Sequence, residues 1–98
     1  MKLSVLIPVY NEAQWLETIV FKVLTQHVEG VASKELILVD DCSTDDSPAM
    51  IKKLKEKHPN IIQCFFHHTN RGKGAAIRTA IEKIDGRYLY YPGFGFGI

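Results

Sequence analysis

Leu36-Ile37-Leu38-Val39-Asp40-Asp41-Cys42-Ser43-Thr44-Asp45-Asp46-Ser47-Pro48 is the stretch that decides the fold. Its first four residues are apolar without alternation, which suits a strand buried on both faces. The run ends at two adjacent carboxylates. Ser47 then reads as a helix N-cap, with Pro48 at the first helical position. A buried strand that leads through a polar turn into a helix is half of a β–α–β unit.

The same grammar repeats on either side. Leu3–Val9 is a continuous apolar run, and the stripe Trp15, Leu16, Ile19, Val20, Val23 and Leu24 behind it has helical spacing. Asn11 reads as the N-cap of that helix, with Glu12 placing a negative charge in its first turn. After Ser47-Pro48, Met50, Ile51 and Leu54 face inward beneath a lysine-rich surface, and His58-Pro59 stops the helix. Ile61–Phe66 is a third strand with Cys64 packed in the core. Gly72 to Gly74 lead into a helix over Ala75–Ile84, with Ile77, Ala80, Ile81 and Ile84 on one face. Gly86 is its C-terminal stop, and Tyr88–Tyr91 a fourth strand. Alternating strands and helices predict an α/β, Rossmann-like, three-layer fold around a mostly parallel sheet.

Composition bounds the rest. The 98 residues make one small domain, with a core that buries about 60–65% of the unfolded surface. A hydrophobic content of 46% with 23% charged residues argues for a globular chain, and a net charge of +1 argues against nucleic acid as a partner. Two cysteines, Cys42 and Cys64, make neither a disulfide framework nor a CxxC metal site, so a reducing, cytoplasmic location is expected. Leu3–Val9 is too short to cross a bilayer and is not followed by a small-residue cleavage site.

Ligands of open α/β sheets bind beyond the carboxyl ends of the strands. Three polar clusters are expected there: Pro8-Val9-Tyr10-Asn11-Glu12, Asp40 to Asp45, and Thr69-Asn70-Arg71-Gly72-Lys73-Gly74. Adjacent carboxylates repel, so Asp40 and Asp41 need donors, such as those of a ligand. Gly72-Lys73-Gly74 can bring backbone N–H groups and an ammonium toward phosphate at a helix N-terminus. Neither GxxxxGK[ST] nor a first-strand GxGxxG is present. His67 and His68 alternate across a strand and lack a third ligand, so they read as a surface strand end rather than a zinc site. Trp15 reads as helix packing rather than a sugar platform.

Three ordered segments carry a resemblance: Ser4 to Glu12, Leu38 to Asp45, and Asn70 to Ala76. Together they resemble family-two glycosyltransferases, most of all the dolichol-phosphate mannosyltransferase type and its bacterial polyprenyl-phosphate relatives. The resemblance covers residues 3 to about 90. It implies a GT-A fold that takes a nucleoside diphosphate sugar, UDP- or GDP-linked, and transfers the sugar to a polyprenyl phosphate or another acceptor. Residues 1–90 would be the nucleotide-sugar-binding part. By resemblance, the segment of Pro8, Tyr10 and Glu12 holds base and ribose, and one carboxylate of Asp40 and Asp41, more often the second, contacts the base. The segment from Asn70 to Lys73 lies beside the phosphates. The expected donor-site set is Pro8, Tyr10, Asn11, Glu12, Asp40, Asp41, Ser43, Asn70, Gly72 and Lys73. The family uses Mg²⁺ or Mn²⁺ to neutralise the diphosphate leaving group, and its full-length members are membrane-associated at the cytoplasmic face.

The sequence departs from that pattern after Tyr90. A D-x-D metal motif is expected there, but Gly93-Phe94-Gly95 stands in its place and offers no side-chain oxygen to a hard cation. No catalytic residue or metal ligand is therefore assigned, and residues 91–98 read as a tail foreign to the family. Two rival expectations follow. One is a transferase fragment with part of the donor site and no turnover. The other is a non-catalytic nucleotide-binding or self-associating module, which buries an exposed sheet edge. A receiver-like signalling domain fits less well, because its acidic pair would follow the first strand.

A one-base frameshift at about Tyr91 is one expected origin of the tail. Tyr91 to Ile98 can be encoded TAT CCA GGA TTT GGA TTT GGA ATA, followed by TGA. The same string read one base later gives ATC CAG GAT TTG GAT TTG GAA TAT, or Ile-Gln-Asp-Leu-Asp-Leu-Glu-Tyr, which restores D-x-D. The alternative is a short variant with a flexible tail. Sequencing the coding DNA checks this: the next frame should contain both aspartate codons, and a next frame without them rejects the shift.

Overall fold

The computed structural model describes residues 2–27, 29–84 and 88–90. Its elements run β1 (Lys2–Val9), α1 (Ala13–Thr25), β2 (Ser33–Asp40), α2 (Ser47–Lys57), β3 (Ile62–Phe66), α3 (Lys73–Ile81) and β4 (Tyr88–Tyr90). The four strands form one sheet in the order β3-β2-β1-β4, and every pairing is parallel. This is the expected Rossmann-like arrangement of a parallel sheet. The stop at Gly86 and the tail from Tyr91 onward lie outside the described residues.

Two apolar clusters separate the layers. Val5, Ile7, Val9, Leu36, Leu38 and Ile62 point to one face, where Leu16, Ile19, Val20 and Val23 of α1 and Ile51 and Leu54 of α2 cover them. Leu6, Ile37 and Val39 point to the other face and meet Ala76 and Ala80 of α3. The unbroken apolar runs of β1 and β2 follow from burial on both sides. Away from the strand ends that concern the site, the buried Ser4 hydroxyl donates to Glu35 at 2.8 Å, and Gln63 Nε2 donates to Glu35 at 2.6 Å. Burial works against the Glu35 charge, but these donors and Lys2 hold its carboxyl below the usual range.

Several local expectations are corrected. α1 begins at Ala13 with Glu12 as its cap residue, so Asn11 is not the N-cap and Glu12 is not in the first turn. Asn11 instead has φ 52°, a left-handed conformation incompatible with capping from the extended region. α2 starts at Ser47 with Asp46 as cap residue, because the Ser47 hydroxyl is engaged by another segment. α3 starts two residues earlier than expected, and its buried face is Ala75, Ala76 and Ala80, with Ile77 and Ile84 packed beside it. Ile81 is 37% exposed, since small residues make the contact with the sheet. Trp15 is 50% exposed and does not belong to the core of its helix. Cys64 does pack against the α1–α2 core cluster, where burial raises its thiol pKa.

The alanine contact leaves no room for a larger side chain. Ala76→Leu should cost about 1–3 kcal/mol through overpacking. The same change at exposed Ala49 of α2 should be near neutral. Urea unfolding of both variants measures the difference.

Candidate functional site

The three polar clusters do meet at the carboxyl edge of the sheet, joined by direct hydrogen bonds between loops. Asn11 Oδ1 accepts from the Thr44 N–H at 2.8 Å, and from the Thr44 hydroxyl and the Asp45 N–H at 3.3 Å. The Asn11 N–H donates to Ser43 Oγ at 2.9 Å. The Glu12 N–H donates to Ser47 Oγ at 2.8 Å, and the Ala13 N–H to Asp45 Oδ2 at 3.2 Å. The N-terminus of α1 is thus satisfied by side chains from the start of α2 rather than by its own cap residue. Asp45 also accepts the Ser47 N–H at 2.8 Å. Burial opposes the Asp45 charge, but Ser47 and the Ala13 N–H hold its carboxyl below the ordinary value.

The acidic pair has donors within the chain. Asp40 accepts the Ser43 hydroxyl at 2.6 Å and the Ser43 N–H at 2.9 Å, closing the turn after β2. Cys42, inside that turn, has φ 62°. Asp41 is only 4% exposed. Its Oδ1 accepts the Arg71 N–H at 2.9 Å, and its Oδ2 accepts the Gly72 N–H at 2.8 Å. The His67 ring supplies a third partner, with Nδ1 at 2.8 Å from Oδ1. Burial pushes the Asp41 carboxyl up, but the Arg71 N–H, His67 and the Gly72 N–H together hold it below the usual range.

His67 corrects an expectation. His68 is exposed, but the His67 side chain is 5% exposed and lies inside the site's support. Its Nε2 is 2.8 Å from Thr79 Oγ1 on α3. Strand alternation was the available signal: His67 continues the parity of Gln63 and Phe65, and Phe65 packs toward α3.

The other expected residues present different chemistry. Tyr10, Asn70 and Lys73 are exposed, and Pro8 is half-buried. Burial raises the Glu12 carboxyl pKa, the positive charge of Lys73 opposes this, and Asp45 adds to the rise. Gly72 has φ 92°, a conformation that favours glycine, and as the cap residue of α3 it has no side chain with which to cap the helix. The edge therefore combines an aromatic ring, a buried acceptor carboxylate, an ammonium and a helix N-terminus. The described residues contain no group of three or more His, Cys, Asp and Glu side chains fit to hold a metal. The position after Tyr90 at which the resemblance implies a cation site lies outside the described residues, and no chemistry is routed through it.

A family model described as glycosyl transferase family 2 matches residues 4–91. The chain belongs to this family. It is 35% identical over 89 residues to an uncharacterised glycosyltransferase of Haemophilus influenzae, covering 91% of this chain and 34% of that protein. It is 33% identical over 85 residues to the undecaprenyl-phosphate 4-deoxy-4-formamido-L-arabinose transferase of Proteus mirabilis, covering 87% of this chain and 26% of the relative. Among solved structures, S. aureus TarS 1–349 in complex with UDP superposes with a TM-score of 0.78 at 27% identity, over 93% of this chain and 27% of that one. The mannosyltransferase PcManGT of Pyrobaculum calidifontis, in complex with GDP-Man and Mn²⁺, gives 0.74 at 28% identity, over 85% and 24%. The chain spans about a third or less of the curated relatives it matches.

The bonds to Asp41 make a pH prediction for this family member. Its folded pKa lies below the unfolded value. The stability it contributes is therefore fully present above about pH 4 and is lost as pH falls through the lower folded value. Asp41→Asn should flatten the acid limb of a Tm–pH profile, leaving the share carried by Glu35 and Asp45. An equally steep limb in the variant would contradict the assignment.

Proposed function

We propose that this chain is the donor-binding part of a glycosyltransferase domain. Its ligand is a nucleoside diphosphate sugar, UDP- or GDP-linked, and the complete domain passes the sugar to a polyprenyl phosphate or a comparable acceptor. The single observation that carries this reading is the union of three strand-end loops at one edge, around a buried carboxylate whose Oδ2 accepts one described hydrogen bond, from the Gly72 N–H. Two oxygens offer about four acceptor positions. Asp41 spends two on Oδ1 and one on Oδ2. A base N–H suits the position left on Oδ2.

The rest of the edge suits the remainder of the ligand. Tyr10 offers an exposed ring for the base, and Pro8 at the end of β1 and Glu12 at the start of α1 flank it for the ribose. Lys73 and the glycine-led start of α3 suit a diphosphate, because the helix N-terminus carries positive partial charge. A Cβ at Gly74 would meet only Arg78 Nη1 at 3.6 Å, so the backbone there is lightly covered. Asn11, Asp40 and Ser43 act on this reading as the frame of the site: Asn11 bonds across to the loop after β2, and Asp40 closes that loop through Ser43. The UDP, UDP-GlcNAc and GDP-Man held by solved relatives support the ligand class. Gly93-Phe94-Gly95 supplies no side-chain oxygen ligand in place of D-x-D, so on this reading the chain keeps part of the donor site without turnover.

The rival reading, a self-associating module, is favoured by the sheet order, which puts β3 and β4 at the edges among the described residues. Calorimetric titration with UDP- and GDP-sugars, paired with light scattering, separates the two. Saturable binding of one nucleotide class, weakened roughly tenfold or more in Asp41→Ala, is expected. A stable dimer that binds neither class would replace the donor-site reading with the self-associating one.

A further inference from the structure

We propose that His67 is a positioning residue of the nucleotide site, which fixes the Asp41 carboxylate so that one acceptor of Oδ2 stays open to the ligand. This deepens the donor-site reading and rests on it. The geometry leaves the ring little freedom. Its backbone N–H donates to the Asp40 carbonyl at 2.8 Å, extending the β2–β3 ladder past Phe66. Nδ1 meets Asp41 Oδ1, and Nε2 meets Thr79 Oγ1, each at 2.8 Å. One buried side chain thus ties the end of β2, the end of β3 and the body of α3.

The chemistry fixes the donors. An ionised carboxylate only accepts, so Nδ1 carries the proton and donates to Asp41. Thr79 can donate to Nε2 when the ring is neutral and accept from it when the ring is charged. The Asp41 bond therefore survives either protonation state. Without His67, Oδ1 loses one of its two donors, and the carboxylate can rotate about its χ2 bond, which has only broad minima. The Arg71 and Gly72 N–H groups would then be held less firmly, and with them the Asn70–Lys73 segment. Asp41 also pins the entrance of α3 through Gly72, while His67 pins the same helix at Thr79. The open acceptor and the start of α3 are consequently set by one bonded unit.

The tests begin with the unaltered chain. Nitrogen-15 NMR of the histidine rings should show the His67 proton on Nδ1. A neutral ring protonated only at Nε2 would overturn the proposal, because such a ring cannot donate to Asp41. His67→Asn places an amide donor near the Nδ1 position, whereas His67→Leu keeps bulk without a donor. UDP or GDP, whichever the unaltered chain binds, should bind His67→Asn within about threefold, and His67→Leu about tenfold more weakly, as for loss of a charge-assisted bond. Equal binding by both variants overturns the proposal. Carbon-13 titration of the Asp41 carboxyl should give a higher pKa in His67→Leu, and an unmoved value also overturns it. If neither UDP nor GDP binds the unaltered chain while the proton and the Asp41 titration behave as expected, the nucleotide reading fails and the His67–Asp41 clamp stands. The conservative variant and the unaltered chain suffice should the leucine variant not fold.

Discussion

A carboxylate withdrawn from water must find donors or lose its charge, and Asp41 finds three within the chain. Those bonds come from two different structural units, the end of β3 and the turn entering α3. The ionised Asp41 therefore sets where α3 begins relative to the sheet, and the N-terminus of α3 is one wall of the proposed donor site. Removing the charge would loosen the wall as well as the acceptor. This coupling explains why adjacent acids can be tolerated after β2. Asp40 turns away to close its own turn through Ser43, and Asp41 turns toward α3, so each has its own donors.

The facing loops are built on the same economy. Asn11 occupies a left-handed conformation that asparagine tolerates better than most residues. That conformation costs about 1 kcal/mol or more, and it lets Oδ1 gather the Thr44 and Asp45 donors. In return, the loop after β2 lends Ser47 and Asp45 to the start of α1. Neither loop is complete without the other. A site made of two reciprocal loops can hold Tyr10 and Glu12 on a short tether without a long, ordered insertion.

Much of this was legible in the residues. The apolar runs, the helical stripe of α1 and the order of elements come from periodicity, which is set by backbone geometry. The convergence of the three clusters follows from a parallel sheet alone. Asn11 and Ser47 cap no helix of their own, because Asn and Ser side chains can serve a neighbouring loop as well, and local spacing cannot tell the two apart. Ile81 and Trp15 fall on apolar stripes yet are exposed, because helical spacing identifies a stripe but not its width. α3 uses the narrow alanine side of its stripe, and Trp15 lies at the margin of the stripe on α1.

His67 shows where such reading stops. Its parity along β3 was available, since alternation puts it with Gln63 and Phe65. The partner was not, because parity does not give register between parallel strands. Asp40 pairs with Phe66, so the next step beyond the ladder brings Asp41 beside His67. A slip of one residue would have turned the ring to the opposite face. The pairing of an acid and a histidine that are 26 residues apart is thus a consequence of register. Register is imposed by Leu36, Leu38 and Ile62 packing under α1 and α2 on the opposite face of the sheet. The apolar core on one face of the sheet thereby aligns the polar machinery on the other.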